Sequence, residues 1–476
     1  MKKLYITIIA LTFSAHLIGQ GSDMACLFSQ TQYQGTAKAL GMGNALGAVG
    51  GDMTSVCINP AGLGLYRSDE FTFSLGLMDN TSLSTYYTNA TSGNKFRVNL
   101  PNVAIVTTKE RSNYKSLRFT QFAIGLTRTT DYNTHTFAKG FNPSSSMIDS
   151  YLQEIDGLSP DEFNEYTTLP AWNLWLIDTV NGYYTSPVPQ GGLWQSQERD
   201  FHGRSEEWTF AYGANFCGKL YLGASVGADH IKRIGTRNFK EEVPEDYAEN
   251  DFRNWTFSET LSTTGWGANL KFGLIYHVSS KLRLGIAYHT PTVYNLQESW
   301  CTTTGATFST YDKRESPTSN YEYDFISPMK AIFSTTFIIQ NRSMISLDVE
   351  YLNYAKAQFK CNDYDYSSVN KEIADTYGQT LNLRIGSEWQ VRDSYLRLGC
   401  AYYGSPLGLG LCDGSTKSAS CGISLPISSS TSFDIAYELS HGKSYQYLYY
   451  VNDLELEPVN HSQSRHKLMA TLKVKF

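Results

Sequence analysis

The feature that most constrains the fold is the stretch that ends the chain, residues 465–476, reading R-H-K-L-M-A-T-L-K-V-K-F. In an extended backbone, successive side chains point to opposite faces. Leu468, Ala470, Leu472, Val474 and Phe476 therefore share one face, and Lys467, Thr471, Lys473 and Lys475 share the other; His466 is the exception on the apolar side. A strand with one greasy and one charged face fits a half-buried sheet in a soluble sandwich. It fits equally well the closing strand of an outer-membrane barrel, with lipid outside and water inside. The rest of the chain decides between them.

Extended amphipathic runs recur at 70–78, 97–109, 117–132, 205–216, 219–233, 256–278, 281–296, 322–339, 343–359, 379–391, 394–403, 416–425, 431–440 and 464–476. That makes roughly fourteen strands, an even number within the range of single-chain outer-membrane barrels. Alternation is clearest where Leu381, Leu383, Ile385, Trp389 and Val391 oppose Asn382, Arg384, Glu388 and Gln390. Short connections (217–219, 277–281, 340–342, 392–393) alternate with long ones (133–204, 234–255, 297–321, 441–463). A sandwich has no reason to sort loop length by parity, whereas a barrel has short periplasmic turns and long extracellular loops. The expected fold is all-β: a transmembrane antiparallel β-barrel of about 14 strands, whose closure pairs every backbone group and leaves no edge.

Composition agrees. Charged residues are 18% of the chain, below the usual quarter, and 33 Tyr and 24 Phe suit strands and membrane-interface girdles. A net charge of −6 offers no basic field for phosphates, so no nucleic-acid partner is expected. Lys2 and Lys3, then the apolar residues 4–13 and a small residue at Gly19, read as a signal peptide over 1–19. Asp23-Met24-Ala25 is a poor lipobox, so Cys26 is not expected to carry a lipid anchor. No run of about 18 apolar residues follows, which excludes spanning helices. The 8 Cys would meet an oxidising compartment, where about 105 pairing schemes are open and Cys412 with Cys421 would staple one hairpin; single strand residues such as Cys217 and Cys400 read as small apolar fillers. No Cys or His spacing resembles a metal site, and no cofactor is expected.

Residues 35–65 are dense in glycine and small side chains, as expected of a segment that folds back tightly and packs inside something else. Here G-T-A-K-A-L-G-M-G-N-A, then I-N-P-A-G-L-G and R-S-D-E-F-T-F, resemble the N-terminal hatch and first strand of the FadL/TodX-type family. Its members are outer-membrane transporters of long-chain fatty acids and aromatic hydrocarbons, and some carry the label hemin receptor. Weaker echoes are L-P-N-V at 100–103, H-T-P-T-V-Y at 289–294 and G-C-A-Y-Y-G-S-P at 399–406. The resemblance implies a plug over 20–66 inside a barrel over 67–476, with Asn59, Pro60 and Ala61 seating the plug. It also implies a monomer in a Gram-negative outer membrane, with both termini periplasmic, lipid and lipopolysaccharide around it, and passive uptake of a hydrophobic small molecule.

The longest loop, 133–204, has helical spacing at Ile148, Tyr151, Leu152 and Ile155, and a capped helix start at Ser159-Pro160-Asp161-Glu162. A loop this apolar buries its face on itself or presents a greasy groove to a ligand, and Phe163, Trp172, Trp175 and Leu176 are the candidate ligand contacts. Strand parity turns Lys271, Arg283, Asp348, Glu350, Arg384, Glu388, Arg397, Asp434 and Glu438 to the lumen. Arg384 and Arg397 are the candidates to hold a ligand carboxylate by bidentate hydrogen bonds. Ser387 and His289 show no spacing that implies a nucleophile and base, so an enzyme is not expected. The alternatives to uptake are a non-transporting barrel that docks or shuttles in protein export, and a heme-binding surface receptor.

Overall fold

The computed structural model describes residues 21–111, 116–247, 249–340, 342–408 and 413–476. The signal-peptide reading and Cys412 lie outside the described residues. Fourteen wall strands close on themselves: β1 (Glu70–Tyr86), β2 (Asn89–Glu110), β3 (Leu117–Asp131, continuing as Thr134–Asn142), β4 (Leu193–Phe216), β5 (Leu220–Glu242), β6 (Asn254–His277) and β7 (Leu282–His289, then Val293–Thr307). They continue with β8 (Ser319–Ile326, then Lys330–Ile339), β9 (Ser343–Asn353, then Gln358–Lys360), β10 (Gln379–Val391), β11 (Ser394–Tyr403), β12 (Thr416–Pro426), β13 (Thr431–Gln446) and β14 (Val459–Lys475). Each pairs antiparallel with its neighbour, and β14 returns to β1 in a ladder that starts at Glu70↔Lys475.

The alternation read from sequence sets the two faces. Leu75, Phe122, Phe210, Phe272, Phe333, Ile385 and Leu398 are exposed on the outer wall, as lipid requires, while Glu207, Lys271, Glu350, Arg384, Glu388 and Asp434 are buried inside. Short turns gather at one end, where Cys217, Gln340 and Arg392 take positive φ as tight hairpins demand. Long connections gather at the other, except that β1 and β2 join through a two-residue turn, Tyr87-Thr88. Several strands run past the apolar band: β4 begins at Leu193, well inside the segment read as loop. Above the lipid, a strand no longer needs one apolar face.

Residues 21–66 fill the lumen through α1 (Ser22–Ser29), α2 (Ala37–Gly41), α3 (Met53–Ile58) and a 3₁₀ turn, Pro60–Leu65. Thr36, Asp52 and Asn59 cap the last three by accepting from Ala39, Thr54 and Ala61. The first described residues lie near the long-loop end, where Ser22 Oγ donates to Glu372 Oε1 at 2.6 Å. Phe476 lies at the short-turn end beside Asp69. The first and last described residues thus lie toward opposite ends of the barrel.

Cys26 is buried in α1, and Cys421 faces outward from β12. No helix among the described residues is long and apolar enough to cross a membrane.

Candidate functional site

The lumen is occupied from bottom to lid. At the bottom, wall glycines receive the plug. Gly223 and Gly273 are cross-strand partners on β5 and β6. A Cβ on Gly273 would lie 2.0 Å from Asn59 Oδ1, and one on Gly223 would lie 2.3 Å from the Pro60 carbonyl carbon. The N-P-A turn thus rests directly on wall backbone. Gly386 and Gly399, paired across β10 and β11, receive Met42 and Gly43 in the same way.

Polar bonds then fix the orientation. Ala37 N donates to Thr471 Oγ1 (2.8 Å), Gly47 N to Asp348 Oδ2 (2.9 Å), Arg283 Nη1 to the Val49 carbonyl (3.0 Å) and Asn59 Nδ2 to the Gly47 carbonyl (2.7 Å). Lys473 of β14 meets the wholly buried Asp52 at 2.8 Å and Asp434 at 3.3 Å.

Both arginines expected to meet a ligand are committed elsewhere. Arg384 pairs with Glu350 (3.2 Å), and Arg397 with Glu388 (2.7 Å) and Asp434 (3.4 Å), all buried. Both guanidinium groups thus face carboxylates of the wall, and Arg384 Nε is buried without a hydrogen-bond partner among the described residues. Parity turned these arginines and carboxylates to one face but did not tell which of them meet. His289, inside, meets the Ile58 carbonyl at 2.8 Å, whereas Ser387 faces outward, so the two stand on opposite sides of the wall.

In the upper lumen, α1 stands in an aromatic chamber. Phe28 packs edge-on against Tyr132 (6.2 Å between centroids) and Phe325 (5.9 Å), with Tyr294, Tyr323 and Phe359 around them. Below lies a polar cavity of about 30 Å³, lined by Thr31, Asp229, Thr292, Ser327 and Lys330, with room for roughly two waters. The Lys330 ammonium donates to Thr31 Oγ1, and among the described residues no carboxylate lies within 4.0 Å of it. Nothing in the sequence set this lysine apart from the others on inward faces.

The wall itself is incomplete at one place. Strand β2 pairs with β3 only from Asn102 to Glu110. Above that, the continuation of β3 pairs with β4 and crosses inside the β1–β2 hairpin, where Ser82 Oγ reaches the His135 carbonyl at 2.7 Å. The upper edge of β2 is left without a strand partner among the described residues. Across this gap Lys95 pairs with Asp200, and Arg97 contacts His202.

The long loop is a lid, held in its own core. It carries α4 (Met147–Glu154), a 3₁₀ turn at Pro160–Glu162 with the expected capping box, and α5 (Thr168–Asn173). Phe163, Leu176, Ile148 and Tyr151 are buried against Phe239, Trp255 and Tyr449. Trp172 is half-buried, edge-on to Phe163 at 5.8 Å and to Tyr184 at 6.0 Å. Trp175 is 69% exposed, at a left-handed φ of 60°. Of the four aromatic and aliphatic candidates, Trp175 is the one exposed at the surface.

A buried carboxylate that sequence reasoning missed, Glu241, seats the lid. It accepts from Ser146 Oγ (2.6 Å), Met147 N (2.9 Å), Gln195 Nε2 (2.7 Å) and Trp255 Nε1 (2.6 Å). Burial pushes its carboxyl above the ordinary range, and those donors pull it part of the way back.

These features define a transmembrane β-barrel whose lumen holds residues 21–66, whose longest loop covers one end, and whose wall lacks strand pairing along one seam among the described residues. The fold is shared with solved structures of that kind. A FadL homologue from Pseudomonas aeruginosa superposes with a TM-score of 0.59 at 11% identity, covering 94% of this chain and 99% of that one. The Pseudomonas putida toluene transporter TodX gives 0.53 at 14%, covering 94% and 99%. The Ralstonia pickettii toluene transporter TbuX gives 0.51 at 15%, covering 93% and 98%. No family model and no curated protein matches the chain.

Proposed function

We propose that the protein admits a hydrophobic small molecule across a Gram-negative outer membrane, passively, with residues 20–66 as the gate. The observation that carries this reading is the aromatic chamber around α1, the first element of the plug, filled by its Met24 and Phe28. An apolar compartment inside an otherwise polar lumen suits a hydrophobic passenger. The shared fold with a FadL homologue and two toluene transporters supports the same reading.

Under this reading the long loops face outward and Trp175 makes first contact. Phe163, Trp172 and Leu176 keep the lid in shape. The passenger takes the place of α1 and leaves through the seam beside β2 or past a displaced plug. Asn59, Pro60 and Ala61 hold the plug until then, and Arg384 and Arg397 stiffen the wall around it.

Lys330, at the floor of the chamber, favours an amphipathic acid whose carboxylate meets the ammonium while its tail lies among the rings. Lys330→Met is then expected to weaken fatty-acid binding about tenfold, one charge-assisted hydrogen bond's worth, and to leave a neutral aromatic hydrocarbon unaffected. Tryptophan-fluorescence titration with both ligands checks this. Trp175→Ala is expected to slow uptake at low ligand concentration by a few-fold, with little change at saturation, measured with labelled ligand in cells.

The test of the reading as a whole is mass spectrometry of small molecules retained by protein purified from native outer membranes in mild detergent. Fatty acid or another hydrophobe absent from a control barrel supports uptake. An empty barrel that brings down a protein partner would move the assignment to docking in protein export, and a Soret band would move it to heme binding.

A further inference from the structure

The outer wall carries a cationic feature that neither plug nor lid uses. Arg204 on β4 and Lys232 on β5 are direct cross-strand partners, and both side chains are outward and exposed. Like charges directly opposite each other in a ladder destabilise the pair, because their Cβ atoms stand about 5 Å apart. Arg204 Nε contacts Glu206 at 2.8 Å, but Glu206 also serves Arg128 at 3.0 Å. Asp131, which lies opposite Arg204 on β3, is buried and bound to Arg128 and Asn133. Two carboxylates therefore face three cations, and Arg97, exposed at the unpaired edge of β2, is a fourth. Among the described residues, no carboxylate lies within 4.0 Å of Lys232.

The height of this patch identifies what it faces. On the same outward rows, immediately below, lie Trp208 (42% exposed) and Trp266 (54% exposed), then Phe210, Leu270, Phe272 and Tyr276. Two exposed tryptophans, on β4 and β6, mark a membrane interface, with Ile234, above Lys232, a further exposed apolar side chain on these rows. Arg204 is four residues above Trp208, about 13 Å along the strand and, at the tilt of barrel strands, about 10 Å in height. That is headgroup depth, on the long-loop side.

We propose that Arg204 and Lys232, with Arg97 beside them, bind the phosphate monoester of an outer-leaflet glycolipid. Two opposed cations match a phosphomonoester, which carries close to two negative charges at neutral pH, better than the single charge of a phospholipid diester. Basic pockets at headgroup depth recognise anionic lipid in this way. The inference needs the long loops to face outward but does not depend on what the lumen carries, so it stands or falls apart from the uptake reading.

The test is native mass spectrometry of the full chain in lipid-free detergent, titrated separately with phosphorylated lipid A, lipid A stripped of phosphate, and phosphatidylglycerol. Wild type should retain phosphorylated lipid A at least tenfold more tightly than the other two. Arg204→Gln/Lys232→Gln should lose that preference, while Lys417→Gln, an exposed lysine on β12, should keep it. Thermal melting of Arg204→Gln without lipid should match or exceed wild type, since a like-charge opposition is relieved. Equal retention of the stripped lipid or of phosphatidylglycerol, or an unchanged preference in the double variant, would overturn the proposal.

Discussion

Leucine at Gly223 is expected to unseat the plug while the barrel still closes. The new Cβ would stand 2.3 Å from the carbonyl carbon and oxygen of Pro60 and 2.5 Å from Ala61 N. These are backbone atoms, so no side-chain rotation relieves the clash. Overpacking a well-filled core costs about 1–3 kcal/mol, and a backbone obstacle puts this substitution at the upper end. The outward neighbours Leu222 and Ala224 are untouched, so assembly, read as heat-modifiable gel mobility, should match wild type. Planar-bilayer recordings should show a silent wild type and a variant with discrete openings. Gly273→Ala provides a smaller intrusion on the same turn, 2.0 Å from Asn59 Oδ1, and should open less often. Silence from both, with folded barrels, would mean that the N-P-A turn does not seal the lumen.

The sequence carried the wall and lost most of what the wall holds. Where both faces of a strand have a fixed solvent, the pattern is unambiguous. β10 and β11 end where alternation ends, at Gln379–Val391 and Ser394–Tyr403. Above the apolar band both faces meet water or lid, and the rule lapses, which is why the upper part of β4 read as loop. Arg384 and Arg397 show a different limit. Period-two counting turned them inward correctly, yet their partners, Glu350 and Asp434 among them, come from other strands, and only register brings these together.

Glycines are silent for a related reason. Gly223 looks like any strand glycine until Pro60 is seen resting on it. Glu241 gave no local signal, because its four donors come from three separated stretches of chain.

Lys473 joins the two halves of that reading, and its removal should be the most damaging single change in the wall. The residue is on the charged face of the closing strand, whose other face meets lipid. Its ammonium is shared by Asp52 of the plug at 2.8 Å and Asp434 of β13 at 3.3 Å. Asp52 is wholly buried, and its remaining bonds come from Thr36 Oγ1 (2.8 Å) and Thr54 N (2.9 Å). Lys473→Met leaves an uncompensated carboxylate inside the protein, a loss of about 3–5 kcal/mol for a broken buried pair. Asp52→Asn removes the charge while keeping a side chain that accepts from Thr54. The double variant Asp52→Asn/Lys473→Met should therefore recover most of the stability lost by Lys473→Met, because replacing both members of a buried pair is often close to neutral.

Hydrogen exchange of plug amides between Ala37 and Leu65 gives the readout. It should be fast in Lys473→Met and near wild type in the double variant. Asp434 keeps Arg397 at 3.4 Å in every case, so the difference between single and double isolates the plug contact from the wall contact. If the double variant exchanges as fast as the single, Lys473 stabilises the wall through Asp434, and the plug is held by its glycine seats and backbone hydrogen bonds instead.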